Sequence, residues 1–270
     1  MREAVGSRSA SSKRGAALMA SDAQRGGAGM QSGLYVALSG QVALQKRLDT
    51  IANNIANMNT GGYRADAVSF STVLSNAGPA PTAFATAGES YISRQTGELV
   101  STGNPLDVAV QGDGWFALQT PGGVAYTRDG RLHMDEGGAL LTVNNYPILD
   151  AGGASILLDP AAGPPTISQD GMISQNGQQI GAIGVFMIDS AARLGRYDNS
   201  SVQPDIPATP VLDFTGDGVA QGMAEGSNIN PVLEMTRMID VSRAFDSTSN
   251  AIQSSETSLL DAIKSLGATS

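Results

Sequence analysis

Apolar residues recur at alternating steps of three and four near the beginning of the chain, between positions 34 and 58. The series comprises Leu34, Ala37, Leu44, Leu48, Ile51, Ile55 and Met58. Only Gln41 interrupts it, and this heptad spacing places one narrow apolar seam along a helix. Ser32 is a suitable N-cap, and Gly61 and Gly62 allow the backbone conformations that end a helix. We therefore predict an N-terminal heptad helix.

The same rhythm returns at the other end of the chain. Its apolar members are Met235, Met238, Phe245, Ile252, Leu259, Ile263 and Leu266, and the polar residues Ser242, Ser249 and Glu256 occupy the remaining seam positions. Asn230 followed by Pro231 supplies an N-cap and a residue preset for the first helical turn. The pattern predicts a second, longer heptad helix.

Between the two helices the hydrophobic period changes to two, which is typical of β-strands. Short apolar runs occupy residues 106–110, 115–118, 140–143, 156–158 and 182–188. The turn pairs that separate them are Asp113-Gly114, Asp129-Gly130, Gly137-Gly138, Asn144-Asn145, Asp170-Gly171 and Asn176-Gly177. Such pairs join antiparallel strands, so the middle of the chain is predicted to be an antiparallel β domain.

These patterns divide the chain into five parts. They are a disordered leader over 1–29, the N-terminal helix and its following segment over 30–74, an extended linker over 75–104, the β domain over 105–222 and the C-terminal helix over 223–270. The leader has only scattered apolar residues, and Met30 is an alternative translation start. The predicted fold class is α+β, in which the two heptad helices pack together as a coiled-coil-like layer beside a central antiparallel, turn-rich β domain.

Composition removes several classes of function. A net charge of -9 argues against a protein that binds nucleic acid, because such binding relies on Lys and Arg at phosphates. The chain has no cysteine, which excludes disulfides, a thiolate nucleophile and cysteine-ligated zinc. No apolar run reaches the length of a membrane span, so none is predicted.

Candidate catalytic and metal-binding residues are few. His133, the only histidine, lies in a predicted strand without a nucleophile-elbow sequence beside it. Gly112 to Gly114 precedes a strand and not the helix that a phosphate loop requires. Residues 213–218 resemble a calcium loop but lack oxygen ligands at alternate positions. We predict no catalytic residue, no cofactor and no metal site.

The placement of long helices at both chain ends suggests surfaces that neighbouring subunits complete. The alternative is an intramolecular helical hairpin packed on the β domain. A cluster of asparagines, at positions 53, 54, 57 and 59, ends the first helix. These amides are either a solvated helix end or hydrogen-bond partners of adjoining helices that fix the register between subunits. A rival hypothesis from another class is a glycan-binding or glycan-hydrolysing β domain on a helical stalk, with Asp135 and Asp150 as its carboxylate pair.

Five runs of the chain, 52–57, 59–64, 105–116, 126–130 and 225–228, form a series of motifs in a fixed order. Their motif residues are Asn53, Asn54, Asn57, Asn59, Gly61, Gly62, Tyr63, Asp107, Gly112, Gly114, Trp115, Phe116, Asp129, Gly130, Glu225, Gly226, Ser227 and Asn228. On these motifs the chain resembles the axial proteins of the bacterial flagellum, the rod and hook family, over nearly all of residues 30–270. Within the family, the segments 33–40 and 112–116 favour a proximal rod subunit over a distal rod or hook subunit.

The resemblance implies a structural subunit of the basal-body rod in the periplasm and not an enzyme. Its terminal helices would polymerise as the inner layer of a hollow drive shaft that surrounds the export channel, with the β domain outside. The partners implied are other rod proteins, proximal and distal, and the flagellar type III export apparatus. Export through that apparatus without signal cleavage agrees with the lack of a recognisable signal peptide.

Overall fold

A computed structural model describes residues 33–75 and 82–267 of the chain. These residues form two compact units. The first unit contains the described residues 33–48, 69–75, 82–88 and 239–267, and the second contains 49–68 and 89–238. The predicted leader over 1–29 and the predicted N-cap Ser32 lie outside the described residues.

Two helices are present, as the heptad patterns predict. Helix α1 covers residues 33–56 of the described chain, and α2 is the 37-residue helix Pro231–Gly267. The side-chain oxygen of Asn230 accepts a hydrogen bond from the Leu233 N–H at 3.1 Å, which confirms the predicted N-cap. Glu234 in the first turn and Lys264 in the last turn complement the helix dipole. The two helices contact each other.

The rest of the described chain is rich in short strands. They are β1 (Asp66–Ser75), β2 (Thr82–Ile92), β3 (Leu99–Ser101), β4 (Val108–Gln111), β5 (Trp115–Thr120), β6 (Gly123–Thr127), β7 (Leu132–Met134), β8 (Leu140–Thr142), β9 (Thr166–Ile167), β10 (Met172–Gln175), β11 (Gln178–Ala182), β12 (Val185–Met187), β13 (Leu194–Arg196), β14 (Ser201–Pro204), β15 (Thr209–Pro210), β16 (Gly218–Gln221) and β17 (Met223–Glu225). The α+β class is therefore confirmed, with a mostly antiparallel, β-rich middle.

The second unit is organised around a six-stranded sheet with the order β13-β14-β6-β5-β12-β15. Smaller sheets pair β16 with β4, β17 with β3 and β7 with β8, and a three-stranded sheet has the order β11-β10-β9. Alternate apolar residues of these strands meet in a buried core that includes Val108, Phe116, Leu118, Leu140, Ile148, Ile173, Ile183 and Val185. Each fully buried side chain of this size contributes about 1.5–3 kcal/mol. The second unit thus has a hydrophobic core of its own.

Most of the predicted strands are present, and two expectations need correction. The run 156–158 forms isolated bridges, such as that between Leu157 and Ala139, and not a regular strand. The range 75–104, predicted as a linker, contains β2 and β3. Strand β2 pairs with β1 in a two-stranded sheet that leaves Phe70, Val73 and Leu74 exposed. Because neither β1 nor β2 is covered along a whole face, the sequence of this range lacks the alternation of apolar and polar residues that predicts a strand.

Candidate functional site

The motif residues of distant segments meet in the second unit, where the chain leaves α1 and where it enters α2. The side-chain oxygen of Asn228 accepts a hydrogen bond from the Ala65 N–H at 2.7 Å. The Asn228 N–H donates to the Tyr63 carbonyl oxygen at 3.2 Å, and its side-chain amide donates to the Gln95 carbonyl oxygen at 2.9 Å. We call residues 61–66, 128–131 and 225–228 the junction. It fastens the end of one helix to the start of the other.

Glu225 lies at the centre of the junction and is almost completely buried. Its carboxylate forms ion pairs with two arginines, 2.7 Å from Arg64 Nη2 and 3.2 Å from Arg128 Nε, and both guanidiniums are equally buried. The same carboxylate accepts the Gly97 N–H at 2.9 Å. The Nη2 of Arg128 also donates to the Gly112 carbonyl oxygen. Two buried guanidiniums therefore share one buried carboxylate, and the nearby carboxylate of Asp113 also favours their charged form.

Burial lowers the pKa of both guanidinium groups. Desolvation lowers the pKa of Arg64 to about 10, although the neighbouring Glu225 carboxylate acts in the opposite direction. Desolvation lowers the pKa of Arg128 as well, again against the effect of Glu225. Both arginines lie over the ring of Trp115, at 5.5 and 5.7 Å from the ring centre, where cation–π attraction supports them. Glu225, Asp113 and the Trp115 ring all favour the charged form of these arginines.

Two glycines allow the backbones of the junction to approach closely. Gly62 has a φ of 64°, and a Cβ atom there would lie 2.2 Å from the Asp129 backbone nitrogen. A Cβ atom on Gly130 would lie 1.7 Å from the Val108 carbonyl oxygen. Since real Cβ contacts are far longer, both positions require glycine. The close approach also lets the Gly62 N–H donate to the Glu225 carbonyl oxygen at 2.8 Å.

The four asparagines of the cluster have different environments, and one of them fits neither interpretation. Asn54 is buried, and its amide makes two 2.9 Å hydrogen bonds, one to the N–H and one to the carbonyl oxygen of Asp66. Asn54 is therefore bonded within its own chain and does not need an adjoining helix. Asn57 donates to the Asn53 carbonyl oxygen at an exposed position. Asn53 and Asn59 are exposed, and the proposal of contacts with neighbouring helices applies to these two alone.

The other motif residues take structural places near the junction. Asp129 forms an ion pair of 2.7 Å with Arg131, and Asp107 accepts a hydrogen bond from the Asn104 side chain. Three glycines lie close to other side chains: Gly61 beside the Arg131 guanidinium, Gly112 beside the Asp217 carboxylate and Gly114 beside Val185. Phe116 belongs to the core. The Gly226 N–H donates to the Glu98 carbonyl oxygen, and the Ser227 hydroxyl accepts the Ile229 N–H. Sequence reasoning missed Arg64 and Arg128 as site residues, although both lie inside the runs 59–64 and 126–130.

The predicted seam residues differ in how far their own chain covers them. In α1, Ile51 is buried, and Leu34, Leu44, Leu48 and Ile55 are partly buried, as is Met58 in the turn that follows the helix. In α2, Phe245, Ile252 and Leu259 are partly buried, whereas Met235, Met238 and Ile263 are exposed. The side chain of Leu266 lies outside the described residues. The covered line of α2 passes through Val241, Phe245, Thr248, Ile252, Ser255 and Leu259. Several large apolar residues of α2 thus remain open to solvent.

The candidate catalytic residues lie in an exposed part of a strand and in turns. His133 is exposed on β7. The carboxylates of Asp135 and Asp150 each accept backbone N–H groups of their own turns, from Ala139 at 2.7 Å and from Gly152 at 2.8 Å. Hydrogen bonds from Thr215 lower the pKa of Asp213 in the calcium-like loop. Within 33–75 and 82–267 there is no cluster of three or more metal-ligating side chains, and neither helix is long and apolar enough to cross a membrane.

Tyr63 offers a test of how well the junction is packed. Its hydroxyl donates to the Asn54 side-chain oxygen at 3.3 Å, so replacing Tyr63 with Phe is expected to cost about 1 kcal/mol near neutral pH. Burial raises the pKa of Tyr63 to about 12 from an ordinary value of 10.0. Between pH 10 and pH 12 the Tyr63 hydroxyl ionises in the unfolded protein but not in the folded one. The free energy of unfolding of the wild-type protein therefore falls by roughly 1.4 kcal/mol per pH unit in this range, whereas that of the Phe variant has no such loss.

Urea unfolding of wild type and the Phe variant at about pH 8 and about pH 11 measures the difference between their free energies of unfolding. We expect this difference to vanish or change sign at the higher pH. The titration of Arg64 is common to both proteins and cancels in the comparison. A gap that stays constant between the two conditions would contradict the burial of the Tyr63 hydroxyl.

Comparison with known proteins agrees with the motifs. Three family models match: flagella basal body rod protein at residues 34–64, flagellar hook protein FlgE/F/G D1 domain at 109–175, and flagellar basal body rod FlgEFG protein C-terminal at 220–265. The first and third of these segments contribute Arg64 and Glu225 to the junction. The class defined by the matches is that of the axial rod and hook proteins.

Individual relatives give the narrower assignment. The flagellar basal-body rod protein FlgF of Mesorhizobium japonicum is 49% identical over 241 residues, covering 89% of this chain and 100% of the relative. FlgF of Rhizobium meliloti is 49% identical over 238 residues, covering 88% and 99%. FlgG of Bacillus subtilis is 32% identical over 253 residues, covering 84% and 96%. The chain belongs to the flagellar basal-body rod protein family and is FlgF-like, which confirms the resemblance and the preference for a proximal rod subunit.

Proposed function

We propose that this chain is a structural, non-catalytic subunit of the basal-body rod that polymerises through its terminal helices. The observation that carries the proposal is the contrast between the two units. The second unit has a closed core, whereas the part of α2 in the first unit leaves the large side chains Ile239, Leu260 and Ile263 exposed. Apolar surface of this kind marks a site of association.

The heptad period favours packing of α1 and α2 with equivalent helices of neighbours as a coiled-coil-like layer. A seam that contains Ser242, Ser249 and Glu256 is too polar to make a stable two-helix structure alone. More helices around the seam would bury Phe245, Ile252 and Leu259 more fully. Closed around an axis, such a layer forms the wall of a hollow drive shaft and of an export channel.

Partners and location follow from the family. The relatives are named flagellar basal-body rod proteins, and we infer that other rod proteins, proximal and distal, adjoin this subunit in the periplasmic rod. We also infer passage through the flagellar type III export apparatus. A chain without cysteine suits both transport in an unfolded state and an oxidising compartment, since no thiol can form a wrong disulfide. The glycan hypothesis gains no support from Asp135 and Asp150, which serve their own turns.

The junction gives the proposed drive shaft its mechanical continuity. Hydrogen bonds of Asn228 and the ion pairs of Glu225 join the segments that adjoin α1 and α2 to the strands of the buried core. The ion pairs of Glu225 are buried, so water does not compete for them, whereas the hydrogen bonds of Asn228 are partly exposed. We infer that a load on either helix end is carried directly into the β-rich unit.

Replacing Ile252 with Asp tests polymerisation through the helices. Ile252 lies on the partly covered line of α2, so a carboxylate there would lose its hydration when subunits pack, at a cost of several kcal/mol. We expect loss of rod assembly and motility in a strain that carries only this variant. Electron microscopy of basal bodies and a swarming assay measure the two effects.

The matched control is Gln253 to Asp, one residue further along the same helix at an exposed position. It adds the same charge and has the same effect on helix propensity. We expect this variant to assemble normally. Motility retained by the Ile252 variant, or lost equally in both, would contradict the proposed role of the seam.

A further inference from the structure

Helix α1 has a second apolar face beside the predicted seam. Tyr35, Leu38 and Val42 are 61%, 48% and 62% exposed and recur at steps of three and four. Within the first unit they line a groove together with Ser39 and Lys46, and residues 84–86 of β2 form its other wall. Because three large apolar side chains line an open groove, this face is suited to receive another helix.

A face of α2 has the complementary character. Leu260 and Ile263 are three residues apart and are 57% and 64% exposed. Glu256, four residues before Leu260, is also exposed and lies on the same face. Since Leu260 and Ile263 are uncovered in their own chain, they do not fill the groove of their own α1.

The charges of the two helical segments favour contact between the α1 face and the α2 face. Residues 33–48 contain Lys46 and Arg47 and no acidic residue. Residues 239–267 contain the acidic residues Asp240, Asp246, Glu256 and Asp261 and the basic residues Arg243 and Lys264. The two helical segments therefore carry net charges of opposite sign, which supports association of α1 from one chain with α2 from another.

The order of residues along the two helices fixes the direction of pairing. From Leu38 to Lys46 the α1 face changes from apolar to basic, whereas from Glu256 to Ile263 the α2 face changes from acidic to apolar. Eight residues span about 12 Å on α1 and seven span about 10.5 Å on α2, at about 1.5 Å per residue. Antiparallel alignment therefore brings unlike charges together at one end and apolar residues together along the rest.

We propose that the groove beside Tyr35, Leu38 and Val42 binds the Glu256–Ile263 face of α2 from a second copy of this chain, in antiparallel orientation. This inference rests on the proposed polymerisation and identifies the surfaces that perform it. These exposed faces then connect one subunit to the next beside the contacts that the predicted seam makes with neighbouring helices.

The absence of cysteine from the natural sequence makes a crosslinking test specific. Two differently tagged full-length copies are expressed together in flagellated cells, one with Leu38 to Cys and the other with Ile263 to Cys, the position that faces Leu38 in the antiparallel alignment. Isolated basal bodies are oxidised with copper phenanthroline and examined on non-reducing gels. The control pairs Leu38 to Cys with Ser247 to Cys, an exposed position on another face of α2.

We expect the Leu38–Ile263 pair to give a mixed dimer carrying both tags, in at least about tenfold higher yield than the control, because a disulfide requires Cα atoms within about 7 Å. A product of Leu38 to Cys with a protein of different identity would overturn the assignment to a second copy. A yield no higher than the control would overturn the proposed contact. If the contact fails while Ile252 to Asp still prevents assembly, the proposed function stands without this inference.

Discussion

Replacing Glu225 with Gln is expected to lower the free energy of unfolding by about 3–5 kcal/mol, the cost of breaking a buried ion pair by removing one partner. The substitution keeps the size of the side chain but leaves the buried Arg64 and Arg128 without their shared carboxylate. Urea unfolding followed by tryptophan fluorescence measures the loss. Trp115 is the only tryptophan, and it lies against both guanidiniums, so its signal reports on the junction itself.

Glu136 to Gln is the matched control, because it removes the same charge from an exposed turn. Surface substitutions of this kind change stability by less than about 0.5 kcal/mol. If the Glu225 variant were as stable as this control, the two arginines would not depend on Glu225, and the description of the junction would be wrong.

Replacing Gly130 with Ala is expected to destabilise the protein by at least about 4 kcal/mol, in the range reserved for severe backbone conflict. The added methyl group would lie 1.7 Å from the Val108 carbonyl oxygen and 3.0 Å from the Phe116 ring. The Val108 N–H donates a hydrogen bond of 2.9 Å to the Gly130 carbonyl oxygen. The Val108 carbonyl oxygen and its strand cannot move away from the methyl group without breaking this bond. Thermal unfolding monitored by circular dichroism and the yield of soluble protein measure the effect.

Gly181 to Ala provides the comparison, since Gly181 lies near the end of β11 and no neighbouring atom lies within 4 Å of the place that its added methyl group would take. We expect a change of no more than about 1 kcal/mol there. Equal stability of the two variants would show that Gly130 is not held against Val108.

The sequence predicted those parts of the fold that depend on local pattern. The heptad spacing located both helices, and Asn230 caps α2 as its position before Pro231 suggests. Asn176 and Gly177 both have positive φ, 50° and 77°, at the turn between β10 and β11. Such signals succeed because residues a few positions apart determine helix caps and tight turns.

The junction was beyond prediction because its partners are distant in sequence. Nothing local in a sequence with 16 basic residues shows which of them accompany Glu225 into the interior. The only signal was that Arg64, Arg128 and Glu225 all lie in runs that resemble the rod and hook family. Spacing alone also did not show which α2 residues are covered by their own chain: Val241, outside the predicted seam, is buried, whereas Met238, inside it, is exposed. Heptad rules assume that large apolar residues point inward, which a surface completed by other subunits does not obey.

The central claim is that the helices of the first unit reach their full stability only when neighbouring subunits cover them. Hydrogen–deuterium exchange of the purified chain and of assembled rods tests it. We predict that amides of 33–48 and 239–267 exchange at least about tenfold faster in the purified chain, as expected for segments of low local stability. Amides of β4 and β5 are predicted to be equally protected in both states. Helices already as protected in the isolated chain as in the rod would contradict the account.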